Sequence, residues 1–208
     1  KGQGGSLDSL IGGSGDDTLD GGPGNDWVIA EGGVDWVLGA TVLTGDGPDL
    51  LFSVERGELS GDDLANRIDA SGFGGNVTIY GGGGDDTLLG GDGIDLVNGQ
   101  GGNDSLLAGG GDDRVFGGGG NDWLGGGDGD DRIWGHGGNS DTLVGGPGDD
   151  QLDGGSGSGD RVYESHDGNL VLVDGELSGV GTDRLTSIDI VELVGGAGPD
   201  RFNAAAYS

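Results

Sequence analysis

The chain has 208 residues, of which 57 are glycine and none is cysteine, and its formal net charge is −30. The absence of cysteine excludes a disulfide framework and a thiolate zinc site. The acidic charge excludes a basic surface for nucleic acid or anionic lipid, and no apolar stretch is long enough to span a membrane.

The acidic residues are strongly biased towards aspartate. Of the 38 acidic residues, only Glu31, Glu55, Glu58, Glu164, Glu176 and Glu192 are glutamate. A surface that only needs to be soluble has no reason to avoid glutamate, whereas the short aspartate side chain suits turns and the binding of hard cations. The bias therefore indicates one of these two roles.

A nine-residue period begins close to the first residue. Residues 3–38 divide into the units QGGSLDSLI, GGSGDDTLD, GGPGNDWVI and AEGGVDWVL. Each unit has aspartate at its sixth position and an aliphatic residue at its eighth. These units predict an N-terminal repeat block over 3–38.

Residues 39–80 break the period. The stretch NVTIY at 76–80 alternates apolar and polar residues, which predicts a strand. We expect 39–80 to form spacer coils, longer coils of the same architecture, with Leu59, Ile68, Phe73 and Val77 in the core.

The period returns over residues 81–163 as nine further units, two of which carry one inserted residue near Ser140 and Gly159. All thirteen units of the chain keep both constraints, which compositional bias does not produce, so the pattern argues against disorder. The eighth-position residues predict the core: Leu10, Leu19, Val28, Val37, Leu88, Val97, Leu106, Val115, Leu124, Ile133, Leu143, Leu152 and Val162.

Residues 164–208 break the period again and form a second spacer. Residues 184–207 align with 50–73 at a constant offset, which pairs Ser53 with Ser187 and Leu59 with Leu193. The stretch 169–177 predicts strands. The copy is truncated relative to 39–80, so we expect the chain to be a piece of a longer protein.

The composition of one unit predicts a turn followed by a very short strand. Six residues rich in Gly, Asp and Asn adopt turn conformations, and three residues around an aliphatic centre form a strand with one side chain inward. Such a strand is unstable alone, but stacked copies form parallel sheets. The fold class predicted is all-β, a parallel β-solenoid with a thin core.

A thin core needs another source of stability, and the turns suggest a cation. Carboxylate and carbonyl oxygens are the ligands of Ca²⁺, which accepts six to eight of them in tolerant geometry. Zinc prefers Cys and His, and the chain offers only His136 and His166. Magnesium is a weaker alternative because it resists losing water.

The pattern GGxGxDxUx, where U is a large aliphatic residue, resembles the RTX, or haemolysin-type, calcium-binding nonapeptide repeat of secreted bacterial proteins. The resemblance implies a parallel β-roll with two units per turn and calcium bound between a loop and the loop one turn later. It implies roughly 7–10 calcium ions, of extracellular affinity. It also implies one-step bacterial export, extracellular or cell-surface location, and folding in calcium outside the cell.

The resemblance further implies a ligand set. The sixth-position carboxylates are Asp8, Asp17, Asp26, Asp35, Asp86, Asp95, Asp104, Asp113, Asp122, Asp131, Asp141, Asp150 and Asp160. The loop carbonyls are those of Gly13, Gly15, Gly22, Gly24, Gly82, Gly84, Gly91, Gly93, Gly102, Gly109, Gly111, Gly118, Gly120, Gly127, Gly129, Gly138, Gly146 and Gly148.

Some units depart from the motif and predict weaker sites. Glu31 replaces a glycine, and Val34 and Ile94 replace fifth-position Asp or Asn. Gln100 and His136 replace second-position glycines, and we expect His136 to be a turn residue rather than a ligand.

No enzyme is predicted. The chain has neither HExxH nor GxSxG, and its paired carboxylates recur in every repeat, whereas catalytic residues would not. The function predicted is a monomeric module that binds calcium and folds in it, with other domains of the parent protein as further partners. The alternative is an extracellular adhesive or structural stalk, or a surface for a partner or carbohydrate.

The alternative depends on the tryptophans. Trp27, Trp36 and Trp123 occupy seventh positions and Trp134 a ninth position, all predicted to face outward. A structural role is the competing interpretation: Phe116 and Trp134, 18 residues apart, are expected to stack, with arginines beside them in cation–π contact.

Overall fold

The computed structural model describes residues 7–32, 35–45, 47–166, 169–173, 176–178, 181–195 and 201–205. Within them, no helix has the length and apolar character that a membrane span requires.

The described chain forms 23 strands. In chain order these are β1 (Ser9–Leu10), β2 (Thr18–Asp20), β3 (Trp27–Glu31), β4 (Trp36–Gly39), β5 (Val42–Thr44), β6 (Pro48–Phe52), β7 (Arg56–Ser60), β8 (Arg67–Gly72), β9 (Asn76–Gly83), β10 (Thr87–Leu89), β11 (Leu96–Gly101) and β12 (Ser105–Gly110). They continue as β13 (Arg114–Gly119), β14 (Trp123–Asp128), β15 (Arg132–Gly137), β16 (Thr142–Val144), β17 (Gln151–Asp153), β18 (Arg161–His166), β19 (Asn169–Val173), β20 (Glu176–Ser178), β21 (Thr182–Thr186), β22 (Ile190–Gly195) and β23 (Arg201–Ala205).

The strands form two sheets between which the chain alternates. One sheet runs β1-β3-β7-β9-β11-β13-β15-β17-β21-β20-β19-β23, and the other runs β2-β6-β5-β4-β8-β10-β12-β14-β16-β18-β22. Over residues 81–153, neighbouring strands of a sheet are parallel and pair residues 18 or 19 positions apart. Two nonapeptide units therefore make one coil, which confirms the all-β parallel roll.

The non-repeating segments build longer coils of the same two sheets. Their equivalent residues lie 20, 29, 32 or 33 positions apart. They also contain antiparallel pairs, β4–β5–β6 in one sheet and β19–β20–β21 in the other. The strands predicted at 76–80 and 169–177 are present as β9, β19 and β20.

Several strands of the main block are longer than the three residues that the sequence predicts, whereas β10, β16 and β17 have three. Strands β11 to β15 each have six residues, because pairing continues into the first residues of the following unit, as between Gly109 and Gly127. Glycine has no side chain to keep neighbouring coils apart there.

Over the main block the core is formed by the eighth-position residues, which make one column on each sheet and lie between the two sheets. From Leu88 to Val162, every predicted eighth-position residue is buried, as are Leu10, Leu19 and Val28. Leu59, Ile68, Phe73 and Val77 of the spacer are buried as predicted. Ser53 and Ser187, which the spacer alignment pairs, share positive φ values of 50° and 52°.

The prediction for the unit 30–38 is wrong. Val37 is 46% exposed, whereas Trp36 and Leu38 are buried. Strand β4 pairs Trp36 with Ile68 and Val37 with Asp69, and Ile68 faces the core. This register turns Trp36 inward, so it is not an outward tryptophan. The replacement Val34 lies outside the described residues.

The other tryptophans lie on the outer faces. Trp27 and Trp134 are half-buried, and Trp123 is 42% exposed. The Trp134 ring stacks on Phe116 with 4.8 Å between centroids and 5° between planes, which confirms the stacked pair. The cation–π contact lies elsewhere, with Arg56 4.6 Å from the centre of the Trp27 ring.

Because the loops stack closely, neighbouring glycines differ in how much space they leave for a Cβ atom. Gly119 and Gly120 provide a test of this difference. A Cβ on Gly120, which has φ of +136°, would lie 1.8 Å from the Gly102 carbonyl oxygen, whereas a Cβ on Gly119 would meet nothing closer than 3.9 Å. We expect Gly120→Ala to lower the free energy of unfolding by about 1–3 kcal/mol and Gly119→Ala to change it little, as measured by urea unfolding in millimolar calcium. Equal effects would contradict this packing.

Candidate metal centre

The sixth-position aspartates of the main block form two columns, one along each edge of the roll. In each column, one carboxylate oxygen accepts a hydrogen bond from the backbone N–H of the aspartate one coil earlier, at 2.7–3.0 Å. The columns run Asp86-Asp104-Asp122-Asp141-Asp160 and Asp95-Asp113-Asp131-Asp150. All nine side chains are buried. We call these the carboxylate columns.

The second carboxylate oxygen of most of these aspartates is buried and has no hydrogen-bond partner. The set with an unpartnered buried Oδ2 is Asp26, Asp86, Asp104, Asp113, Asp122, Asp131, Asp141 and Asp150. Asp95 differs, since its Oδ2 accepts the N–H of Gly91 at 2.8 Å. An unpartnered buried carboxylate oxygen costs several kcal/mol, so these oxygens fit a bound cation.

First-position glycines make room for these oxygens. A Cβ on Gly99 would lie 2.2 Å from Asp104 Oδ2, and one on Gly126 would lie 2.1 Å from Asp131 Oδ2. The same holds at 2.2–2.4 Å for the pairs Gly117–Asp122, Gly135–Asp141 and Gly145–Asp150. In these units the first-position glycine leaves a small space that a side chain would fill, whereas the unit of Asp113 has Ala108 at that position.

The predicted loop carbonyls are also stacked in columns. In three columns, the carbonyl oxygen of one glycine lies 1.6–2.3 Å from the Cβ position of the next glycine of the column, as for Gly102 and Gly120. These columns are Gly91-Gly109-Gly127-Gly146, Gly84-Gly102-Gly120-Gly138 and Gly93-Gly111-Gly129-Gly148. Gly82 and Gly118 stack against the carbonyls of Asp62 and Gln100 instead.

Fifth-position side chains form a second, exposed set of hydrogen bonds. Asn103 Oδ1 accepts the N–H of Asn121, and Asn121 Oδ1 accepts that of Asn139. Asp112 and Asp130 do the same for the following coil. One oxygen of each of these side chains therefore links neighbouring coils.

The N-terminal block shows this geometry only in part. Asp26 is buried and its Oδ1 accepts the Asp8 N–H, whereas Asp8 and Asp17 are half-buried. Asp35 is exposed, and its Oδ1 accepts the N–H of Arg67. Gly13, Gly15 and Gly24 are exposed and Gly22 is half-buried.

Two carboxylates that sequence reasoning missed join the columns. Asp49 accepts the N–H of Asp17 at 2.9 Å, and Asp183 accepts that of Asp150 at 3.3 Å. Both are buried. The stretches GDGPDLL and GVGTDRL keep the Asp-x-aliphatic signal, but Pro48 and Thr182 hide it at the fifth position.

Cation binding here would depend on backbone oxygens as well as carboxylates. Among the described residues, no three His, Cys, Asp or Glu side chains converge on one point. His136 has a positive φ of 70° but lies in strand β15, where it pairs with Gly118, rather than in a turn. Its ring stacks on Phe116 with 5.6 Å between centroids. A site of carbonyls and one or two carboxylates suits Ca²⁺.

Burial raises the pKa of the column carboxyls. Desolvation, together with repulsion from neighbouring carboxylates, raises the pKa of Asp113, Asp122 and Asp150 to about 7 and that of Asp104 and Asp131 to about 6. A divalent cation between the coils would relieve both effects by stabilising the charged form.

The repeats, the stacked loops and the carboxylate columns define a calcium-binding β-roll. The family model of the RTX calcium-binding nonapeptide repeat matches residues 4–40, 60–97, 89–124, 116–139 and 125–159. The chain belongs to this family, and its repeats bind several calcium ions. The match at 60–80 covers part of the segment predicted as a spacer. The comparison with curated proteins found no match.

The raised pKa values predict how the calcium-free chain responds to acid. Because the pKa of column carboxyls is about 6 to 7 in the fold and 3.8 ordinarily, the folded state binds more protons between these values. This stabilisation is full below 3.8 and is lost as pH rises through 6 to 7. We expect acidification from about pH 8 to about pH 5 in EDTA to increase the β-structure signal in circular dichroism.

Concentrated salt at about pH 8 is the control, since it screens surface repulsion without protonating buried carboxyls. Salt is expected to restore less β-structure than acid. Loss of β-structure on acidification would contradict the assignment of the raised pKa values to the fold.

Proposed function

We propose that the sixth-position aspartates are the calcium ligands of this chain and that calcium drives its folding. The observation that carries the proposal is the row of buried, unpartnered Oδ2 atoms. Each is a full or partial negative charge that the described protein atoms leave uncompensated, and all of them except the Oδ2 of Asp113 lie beside a first-position glycine. Calcium supplies the missing charge and the missing partners.

Electrostatics makes calcium a switch for folding rather than an addition to a stable fold. Adjacent strands of a sheet are about 4.8 Å apart, so a carboxylate column places like charges close together in a chain of net charge −30. Repulsion at that spacing opposes coil stacking in calcium-free solution. Binding of calcium between coils converts the repulsion into attraction.

We further propose that the chain folds outside the cell. RTX repeats occur in secreted bacterial proteins, and sites of extracellular affinity, about 10⁻⁴ M or weaker, are empty in a calcium-poor cytosol. In this scheme the repeat blocks 3–38 and 81–163 hold the ions, and the spacers 39–80 and 164–208 continue the sheets. The module stabilises a larger protein and carries no catalysis of its own.

The first test is calcium titration followed by circular dichroism. We expect the calcium-free chain at about pH 8 to be largely unfolded and to gain β-structure cooperatively as calcium reaches the millimolar range. Magnesium at the same concentration is the control and is expected to be much less effective because it retains its water. Equal β-structure in EDTA and in calcium would overturn the folding role.

The second test addresses the ligands. Asp131→Asn keeps an oxygen that can accept the Asp113 N–H but removes the charge of the unpartnered Oδ2. We expect it to lower the free energy of unfolding in millimolar calcium by about 1–2 kcal/mol and to raise the calcium midpoint. Asp128→Asn removes the same charge from an exposed residue of the same loop and is expected to leave the midpoint nearly unchanged. Equal midpoints for the two variants would exclude Asp131 as a ligand.

A further inference from the structure

Glu164 is a buried acid at a position where the preceding unit has glycine. Strand β18 pairs with β16 so that Val162 faces Leu143, which brings Glu164 level with Gly145. The Glu164 side chain is 7% exposed, and its Oε2 is buried with no hydrogen-bond partner. A buried carboxylate oxygen needs a hydrogen-bond donor or a cation to offset its desolvation. Glu164 lies outside the nonapeptide units, so the repeat pattern does not account for this oxygen.

The register shows where this carboxylate points. A Cβ on Gly145 would lie 2.2 Å from Asp150 Oδ2. One coil later, Asp183 takes the place of Asp150, because Arg184 pairs with Gln151 and Asp183 accepts the Asp150 N–H. Glu164 is therefore equivalent to Gly145, and Asp183 is equivalent to Asp150. Because the Cβ position of Gly145 lies close to Asp150 Oδ2, the Glu164 side chain extends towards the Asp183 carboxylate.

The two carboxylates share one environment. Asp183 is 6% exposed. Burial, together with the charge of Asp183, raises the pKa of Glu164 to about 7. Among the described residues, neither carboxylate has an ion pair with a lysine or arginine. The nearby Arg161 pairs with Glu192 at 3.6 Å instead, and Arg184 is exposed on the outer face.

We propose that Glu164 and Asp183 together bind one divalent cation, calcium, at the C-terminal end of the repeat stack. The site differs from a repeat site because its second carboxylate replaces the first-position glycine. Two carboxylates on one ion give a more negative donor set, which suits a hard divalent cation. The proposal requires that the chain binds calcium, but it does not require that calcium triggers folding.

The test counts bound calcium per chain by equilibrium dialysis at a free calcium concentration that just saturates the unaltered 208-residue protein. The variants are Glu164→Gln, Asp183→Asn and the double variant. If one ion is held by both carboxylates, each variant loses one ion, and the double variant also loses only one. Glu176→Gln, which removes an exposed glutamate nearby, is the matched control and retains the full number.

Three outcomes would overturn the proposal. An unchanged count in Glu164→Gln would mean that the buried pair shares a proton rather than a cation, and a loss of two ions in the double variant would assign the carboxylates to different ions. If Glu164→Gln fails to fold, as judged by circular dichroism, Glu164→Gly replaces it, since glycine is the residue at the equivalent position 145. Retention of the full count by Glu164→Gly would likewise refute the shared site. If the chain instead folds without calcium, so that the proposed folding role is wrong, these expected calcium counts stay the same.

Discussion

The structure depends on one constraint: every coil of the main block brings charged carboxyl groups into a dry interior edge. One oxygen of each group binds the backbone of the preceding coil, which fixes the register of the stack. The other oxygen is left without a protein partner. Where glycine occupies the first position of a unit, it leaves space beside that second oxygen. Because the core is one aliphatic side chain per unit, apolar burial alone is a weak source of stability.

The spacers preserve the hydrogen-bonding half of this arrangement while changing its chemistry. Glu55 accepts the N–H of Asp26, and Asp189 accepts that of Asp160, so acids from outside the nonapeptide pattern continue the columns. Asn66 accepts the Asp62 N–H and donates its own N–H to Asp86. An amide at a sixth position keeps the backbone satisfied without adding charge. The roll can therefore continue through coils in which another residue replaces the sixth-position aspartate.

Most of the repeat geometry could be predicted from the sequence because each unit states its structure locally. An aspartate at position six and an aliphatic residue at position eight are enough to predict the loop and the inward side chain, whereas two units per coil followed from the resemblance to the RTX repeat. Trp36 could not be predicted, because its inward orientation results from pairing with Ile68 and from an antiparallel neighbour, β5. Asp49 and Asp183 were hidden for another reason: their units lie inside irregular segments, and only the partner coil reveals that they occupy the same column. The equivalence of Glu164 to Gly145 is likewise revealed only by the register of β16 and β18.

The direction of the column hydrogen bonds gives the roll a head and a tail. From Asp86 to Asp160 the N–H donor always belongs to the earlier coil and the carboxylate acceptor to the later one. A cut on the N-terminal side of a coil thus exposes an acceptor, which water or a cation can satisfy. A cut on the C-terminal side instead leaves a backbone N–H whose acceptor has been removed. The column N–H of each coil has its acceptor only when the following coil is present, so the two ends of a shortened roll are not equivalent. Designs that truncate or extend such a roll must cap its trailing end with a carboxylate or amide acceptor.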